Sequence, residues 1–81
     1  MTPDQIRAAF LEELTKIAPE IDPNALSGHE HLQEDLELDS MDILNLVAAL
    51  HRRLGVDIPE KDYGAIATPD AATAYLAGRF A

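Results

Sequence analysis

Apolar residues recur at intervals of three and four in three segments of the chain, and this spacing constrains the fold more than any other feature. The strongest pattern follows residue 40 and comprises Met41, Leu44, Val47, Leu50 and Leu54. An earlier one comprises Ile6, Phe10, Leu14 and Ile17, and a later one Ala72, Leu76 and Phe80. Such spacing places apolar side chains on one helical face, and no segment alternates as a strand would. The sequence predicts an all-α fold.

Residues typical of helix ends flank these segments. Thr2 and Pro3 open the first helix, because threonine can cap a helix and proline suits its first position. Pro19 ends that helix near residue 18. Asp39 is the predicted N-cap of the second helix, with Asp42 three residues later as the partner in a capping box. These residues predict where the two longer helices begin and where the first ends.

The remaining segments complete a small bundle. Gly55 ends the second helix, residues 59–63 predict a short helical turn, and Thr68 with Pro69 opens the last helix. A long loop, residues 19–38, joins the first two helices, and its leucines are expected to pack on the core: Leu26, Leu32, Leu36 and Leu38. We predict a single domain over residues 1–81, folded as a four-helix bundle with a long loop between helices 1 and 2.

Size and charge favour a carrier or binding module over an enzyme. A chain of 81 residues buries only about 60–65% of its unfolded surface, too little for a deep, rigid active site. The formal net charge of −9 repels nucleic acids and anionic membranes, and it attracts a basic protein surface. The chain has no cysteine, no signal-peptide pattern and no apolar run long enough to span a bilayer. We expect a monomeric cytoplasmic protein.

The segment Asp35-Leu36-Glu37-Leu38-Asp39-Ser40-Met41-Asp42 carries the chemistry. It places Ser40 on the first turn of a helix, after an acidic loop, so that its hydroxyl is exposed at one end of the bundle. The N-terminus of a helix has unpaired N–H groups and a partial positive charge, both of which suit a phosphate group. The serine hydroxyl can bear a phosphodiester.

This segment resembles the attachment motif of acyl carrier proteins, whose usual form is Asp-Ser-Leu preceded by Asp-Leu-Gly-Leu. Residues 54–59 and 68–76 also follow the family's order and spacing, so the resemblance covers nearly the whole chain. It implies that a phosphopantetheinyl transferase attaches 4′-phosphopantetheine from coenzyme A to Ser40. The arm would then hold an acyl or aminoacyl group as a thioester and present it to acyl-loading and acyl-processing enzymes.

The resemblance also implies roles for the neighbours of Ser40. Partner enzymes would recognise Asp35, Asp39, Met41 and Asp42, with Met41 standing where the family usually has leucine. Glu37 replaces the usual glycine, so we do not expect a positive φ at this position.

The second helix departs from the acidic pattern of fatty-acid carriers, with Asn45 at one acidic position and His51-Arg52-Arg53 at the far end. We interpret this basic end as a feature of a specialised carrier that selects its own partners. The alternative is that the arginines are solvated or balance the helix C-terminus.

Two other site chemistries fit the sequence poorly. A hydrolase would need a base near Ser40, but His51 lies about 16 Å along the same helix, and no nucleophile elbow surrounds the serine for His29 or His31 to serve. A calcium loop beginning at Asp35 fails at its sixth position, Ser40, and at its twelfth, Leu46. We therefore expect no catalytic residue and no metal site.

One binding role stays open beside the carrier role. An acidic helical module that docks on a basic protein and is never modified has the same composition. The pathway is open as well, since fatty-acid, polyketide and other specialised biosynthesis all use a thioester arm.

Overall fold

The computed structural model describes residues 1–79, which form three α-helices and one 3₁₀ helix and contain no strand. Helix α1 spans Pro3–Ile17, α2 spans Ser40–Leu54, the 3₁₀ helix spans Glu60–Ile66 and α3 spans Pro69–Arg79. No helix among these residues is long and apolar enough to cross a membrane. The prediction of an all-α bundle with a long first loop is confirmed, whereas Phe80, predicted on the last helix, lies outside the described residues.

Two capping boxes start the longer helices. The Thr2 hydroxyl accepts the Gln5 N–H at 3.2 Å, and the Gln5 side chain accepts the Thr2 N–H at 2.8 Å. At α2, the carboxylates of Asp39 and Asp42 accept each other's backbone N–H groups at 2.9 and 3.2 Å. Gly55 ends α2 with a left-handed φ of 69°. The predicted caps are confirmed, and Gln5 is a partner that the sequence analysis did not name.

Tertiary packing corrects the predicted buried face of α2. The buried residues of this helix are Ile43, Leu46, Ala49 and Leu50. Of the predicted stripe, only Leu50 is fully buried, Val47 and Leu54 pack partly against the core, and Met41 and Leu44 are 61% and 46% exposed. The helix is apolar over a wide arc, so two overlapping stripes fit its sequence. The position of α1 against α2 determines which of them faces the core.

The long loop is attached to the core by its leucines, as predicted. Leu32 and Leu38 are buried, and Leu26 and Leu36 pack partly against the same core. The Leu32 N–H also donates to the Ala67 carbonyl at 2.8 Å, which joins the loop to the segment before α3.

The backbone at Glu37 contradicts the prediction from the sequence. Its φ is 60°, in the left-handed region that favours glycine, although the glutamate made a positive φ unexpected. Leu36 and Leu38 on either side both pack against the core, and Asp39 must then begin α2. The anchored neighbours determine the backbone at residue 37, and the side chain there does not.

Replacing Glu37 with glycine is therefore expected to stabilise the fold by about 0.5–1 kcal/mol, because a residue with a Cβ is strained at this φ. Glu37→Ala is the matched control, since it removes the same charge and keeps the Cβ. Urea unfolding of the three proteins measures the difference. A glycine variant no more stable than the alanine variant would refute strain at this position.

Candidate functional site

Ser40 is the first residue of α2, and its side chain is exposed, as the sequence analysis predicted. Asp39 caps the helix immediately before it, so Ser40 itself has no capping role. The N–H groups of the first helical turn lack intrahelical acceptors and carry the positive end of the helix dipole. The serine hydroxyl thus lies at the most electropositive end of α2, free to react.

A cavity of about 350 Å³ lies beside Ser40. It is lined by the start of α2, residues 31–33 of the long loop, the 3₁₀ helix and the residue after it. Its apolar lining residues are Leu32, Ile43, Leu44, Ile66 and Ala67. Its other lining residues, besides Ser40, are His31, Gln33, Glu60, Tyr63 and Gly64. No cavity was predicted from the sequence, because these segments are far apart in the chain and only the fold brings them together.

The 3₁₀ helix, which forms one wall of this cavity, is held to α3 by a polar cluster. The Tyr75 hydroxyl donates to the Asp62 carboxylate at 2.7 Å, and Arg79 donates to the same carboxylate at 3.1 Å. The Arg79 guanidinium also lies 4.8 Å from the centre of the Tyr75 ring. Partial burial and the hydrogen bond to Asp62 raise the pKa of Tyr75. The cluster orients the wall that faces Ser40, and the sequence analysis missed it.

The predicted recognition residues lie in two places. Asp39, Met41 and Asp42 surround Ser40 at the start of α2, where Met41 is exposed and the two carboxylates also form the capping box. Asp35 lies in the preceding turn, where it accepts the His31 N–H at 2.7 Å, and it lines a separate depression. Leu44 was predicted to face the core, but it is exposed. It therefore adds an apolar contact to the surface around Ser40.

At the basic end of α2, one of the three basic residues forms ion pairs within the fold. Arg53 forms ion pairs with Glu12 at 2.6 Å and with Glu13 at 2.9 Å, which join α2 to α1. Glu13 is buried, and the guanidinium of Arg53 together with the Lys16 ammonium lowers the pKa of its carboxyl. His51 and Arg52 remain exposed. Of the basic residues, Arg53 thus has a structural role that the sequence analysis did not foresee.

The histidines of the loop are placed differently from each other. His31 shares the cavity with Ser40, but its Nδ1 atom accepts the N–H groups of Gln33 and Glu34 at 3.3 and 3.2 Å. The His29 side chain is 90% exposed and lies 3.6 Å from Asp70. Over residues 1–79, no three His, Cys, Asp or Glu side chains are grouped so that they could hold a metal ion. The two backbone N–H groups occupy Nδ1 of His31, so this atom does not act as a base for Ser40.

Comparison with known proteins shows which family this chain is similar to. A family profile described as "Phosphopantetheine attachment site" matches residues 4–76, a range that contains Ser40 and all the cavity-lining residues. The acyl carrier protein of Helicobacter hepaticus is 31% identical over 73 residues, which cover 90% of each chain. The acyl carrier protein of Campylobacter jejuni is 34% identical over 59 residues, covering 73% of this chain and 70% of that protein.

A third relative comes from a plant. Acyl carrier protein 2, mitochondrial, of Arabidopsis thaliana is 28% identical over 83 aligned residues, covering 91% of this chain and 66% of that protein. The similarity therefore extends from bacterial relatives to one whose name places it in mitochondria.

Proposed function

This chain belongs to the acyl carrier protein family, and we propose that residues 1–81 form one carrier domain that bears its cargo on an arm attached to Ser40. The family implies an acyl carrier function and a covalently attached 4′-phosphopantetheine group. The observation that carries the assignment to Ser40 is its exposed position at the start of α2, beside the cavity. The chain's other serine, Ser27, lies in the loop, where its hydroxyl accepts the His29 N–H.

The residues around Ser40 fit this group. The Ser40 oxygen would form the phosphodiester, and the first-turn N–H groups of α2 suit the phosphate through their partial positive charge. When attached, the arm supplies a terminal thiol that holds an acyl group as a thioester. The chain contributes no reacting group of its own beyond the serine oxygen, and its task is to present and to shelter the cargo.

The lining of the cavity supports an apolar cargo. Leu32, Ile43 and Ile66 are buried side chains that form part of its wall, and burial of an apolar chain against them would be favourable. We propose a fatty-acyl or polyketide cargo in fatty-acid biosynthesis or a related specialised pathway. A charged aminoacyl group would gain less from the apolar side chains of this lining, because its ammonium group loses hydration when it is buried against them.

The surface around Ser40 supports docking of basic partners. Met41 and Leu44 offer exposed apolar contacts, and Asp39 and Asp42 place negative charge beside them. Charge of this kind acts mainly on encounter rates and on rejection of wrong partners. The family interacts with a phosphopantetheinyl transferase and with acyl-processing enzymes, and we propose that this surface receives them. Selection of pathway enzymes by the basic end of α2 stays a prediction, now resting on Arg52, as do a monomeric state and a cytoplasmic location.

Attachment is tested by incubating the unmodified protein with coenzyme A, Mg²⁺ and a broad-specificity phosphopantetheinyl transferase, then measuring the intact mass. We expect a gain of one phosphopantetheine group per chain. The initial rate should fall as salt is added, because ionic screening weakens the attraction between the acidic surface and the enzyme. A protein that stays unmodified with several transferases would instead support the unmodified docking module.

A further inference from the structure

His31 caps the turn at residues 32–35 with its imidazole ring. Its Nδ1 atom accepts the backbone N–H groups of Gln33 and Glu34 at 3.3 and 3.2 Å. In return, the backbone N–H of His31 donates to the Asp35 carboxylate at 2.7 Å. This reciprocal arrangement resembles a helix capping box, in which serine or threonine usually supplies the acceptor, but here it closes a turn and the returning carboxylate is four residues away. A ring nitrogen accepts hydrogen bonds only without a proton, so the structure requires a neutral imidazole with its proton on Nε2.

The capped turn forms one wall of the cavity beside Ser40. Both His31 and Leu32 line the cavity, and Leu32 is completely buried. The Leu32 N–H donates to the Ala67 carbonyl, and the Leu32 carbonyl accepts the Leu38 N–H at 3.1 Å. The turn is thus connected on one side to the segment before α3 and on the other to the residues that lead into α2. Because His31, Leu32 and Gln33 line the cavity, a change in the turn would alter the wall that these residues form.

We propose that His31 makes this wall sensitive to protons. Protonation of Nδ1 converts the acceptor into a donor, breaks the hydrogen bonds from Gln33 and Glu34 and loosens the turn that lines the cavity. The capped turn requires the unprotonated ring, so the capped turn is favoured at higher pH. It loses that advantage once Nδ1 takes up a proton.

Charged and titratable groups from two segments of the chain lie around the imidazole. Glu34 and Asp35 belong to the same turn, and Glu60 and Tyr63 of the 3₁₀ helix line the same cavity.

The test uses the unmodified chain and measures hydrogen exchange by NMR at about pH 7.5 and about pH 5.5, a range that spans imidazole titration. After correction for intrinsic exchange rates, the protection of the Gln33 and Glu34 amides should fall about fivefold at the lower pH, the typical effect of losing a cap. In His31→Ser, the serine hydroxyl accepts the same N–H groups and does not titrate, so protection should stay constant. His29→Ser is the matched control, because His29 is exposed two residues away, and it should keep the wild-type response.

Two results would overturn the proposal: an equal loss of protection in wild type and His31→Ser, or a neutral His31 that carries its proton on Nδ1 in the nitrogen NMR spectrum. The consequence for a cargo, which is less shelter inside the cavity at low pH, rests on the proposed function. The exchange experiment does not rest on the proposed function, because it uses the chain without the phosphopantetheine arm. Failure of arm attachment and failure of the proton-sensitive wall are therefore distinguishable.

Discussion

Replacing Ser40 with alanine is expected to abolish arm attachment completely, because alanine has no hydroxyl to form the phosphodiester. The fold should be unaffected. Ser40 is exposed, Asp39 and not Ser40 caps α2, and alanine is the best helix former. We expect an unchanged helical spectrum and a stability within about 0.5 kcal/mol of wild type. Intact mass after incubation with coenzyme A and the transferase measures attachment.

Ser27→Ala is the matched control for this experiment, since Ser27 and Ser40 are the chain's two serines. The Ser27 hydroxyl accepts the His29 N–H at 3.2 Å, so the control removes a hydroxyl of comparable exposure from the loop. It should gain the arm at the wild-type rate. If Ser40→Ala is still modified, the attachment site is elsewhere and the proposed geometry of the site is wrong.

Truncating Leu50 to alanine is expected to reduce the free energy of unfolding by about 2–5 kcal/mol. Leu50 is completely buried in the core between α2 and its neighbours, so alanine would leave a cavity as well as lose apolar burial. The total stability of a small domain is about 5–15 kcal/mol, and the loss is a large share of it. Urea unfolding followed by circular dichroism measures the change.

Leu44→Ala is the matched control, because it makes the same chemical change six residues earlier on the same helix. Leu44 is 46% exposed, so we expect a loss of less than about 1 kcal/mol. The spacing of apolar residues placed Leu44 and Leu50 on one stripe and predicts similar losses for both. Similar losses in the experiment would therefore contradict the observed packing of α2 and favour the face predicted from the sequence.

Features that depend on a few neighbouring residues were predictable. The Asp39–Asp42 capping box and the glycine stop at residue 55 involve contacts within four positions, and the structure contains both. The same local signals place Ser40 on the first turn of α2 with an exposed side chain. The location of the proposed attachment residue was therefore available from the sequence, since helix ends are determined largely by local hydrogen bonds.

The prediction failed where distant segments meet. The buried face of α2, the positive φ at Glu37, the ion pairs of Arg53 with α1 and the cavity beside Ser40 each depend on contacts between separate parts of the chain. A wide apolar arc fits more than one buried face, and an arginine near a helix end can be solvated or paired. The sequence by itself determined the helices and the position of Ser40. Only the tertiary structure decided which faces are buried and what surrounds the serine, because these follow from packing between elements that local hydrogen bonds do not specify.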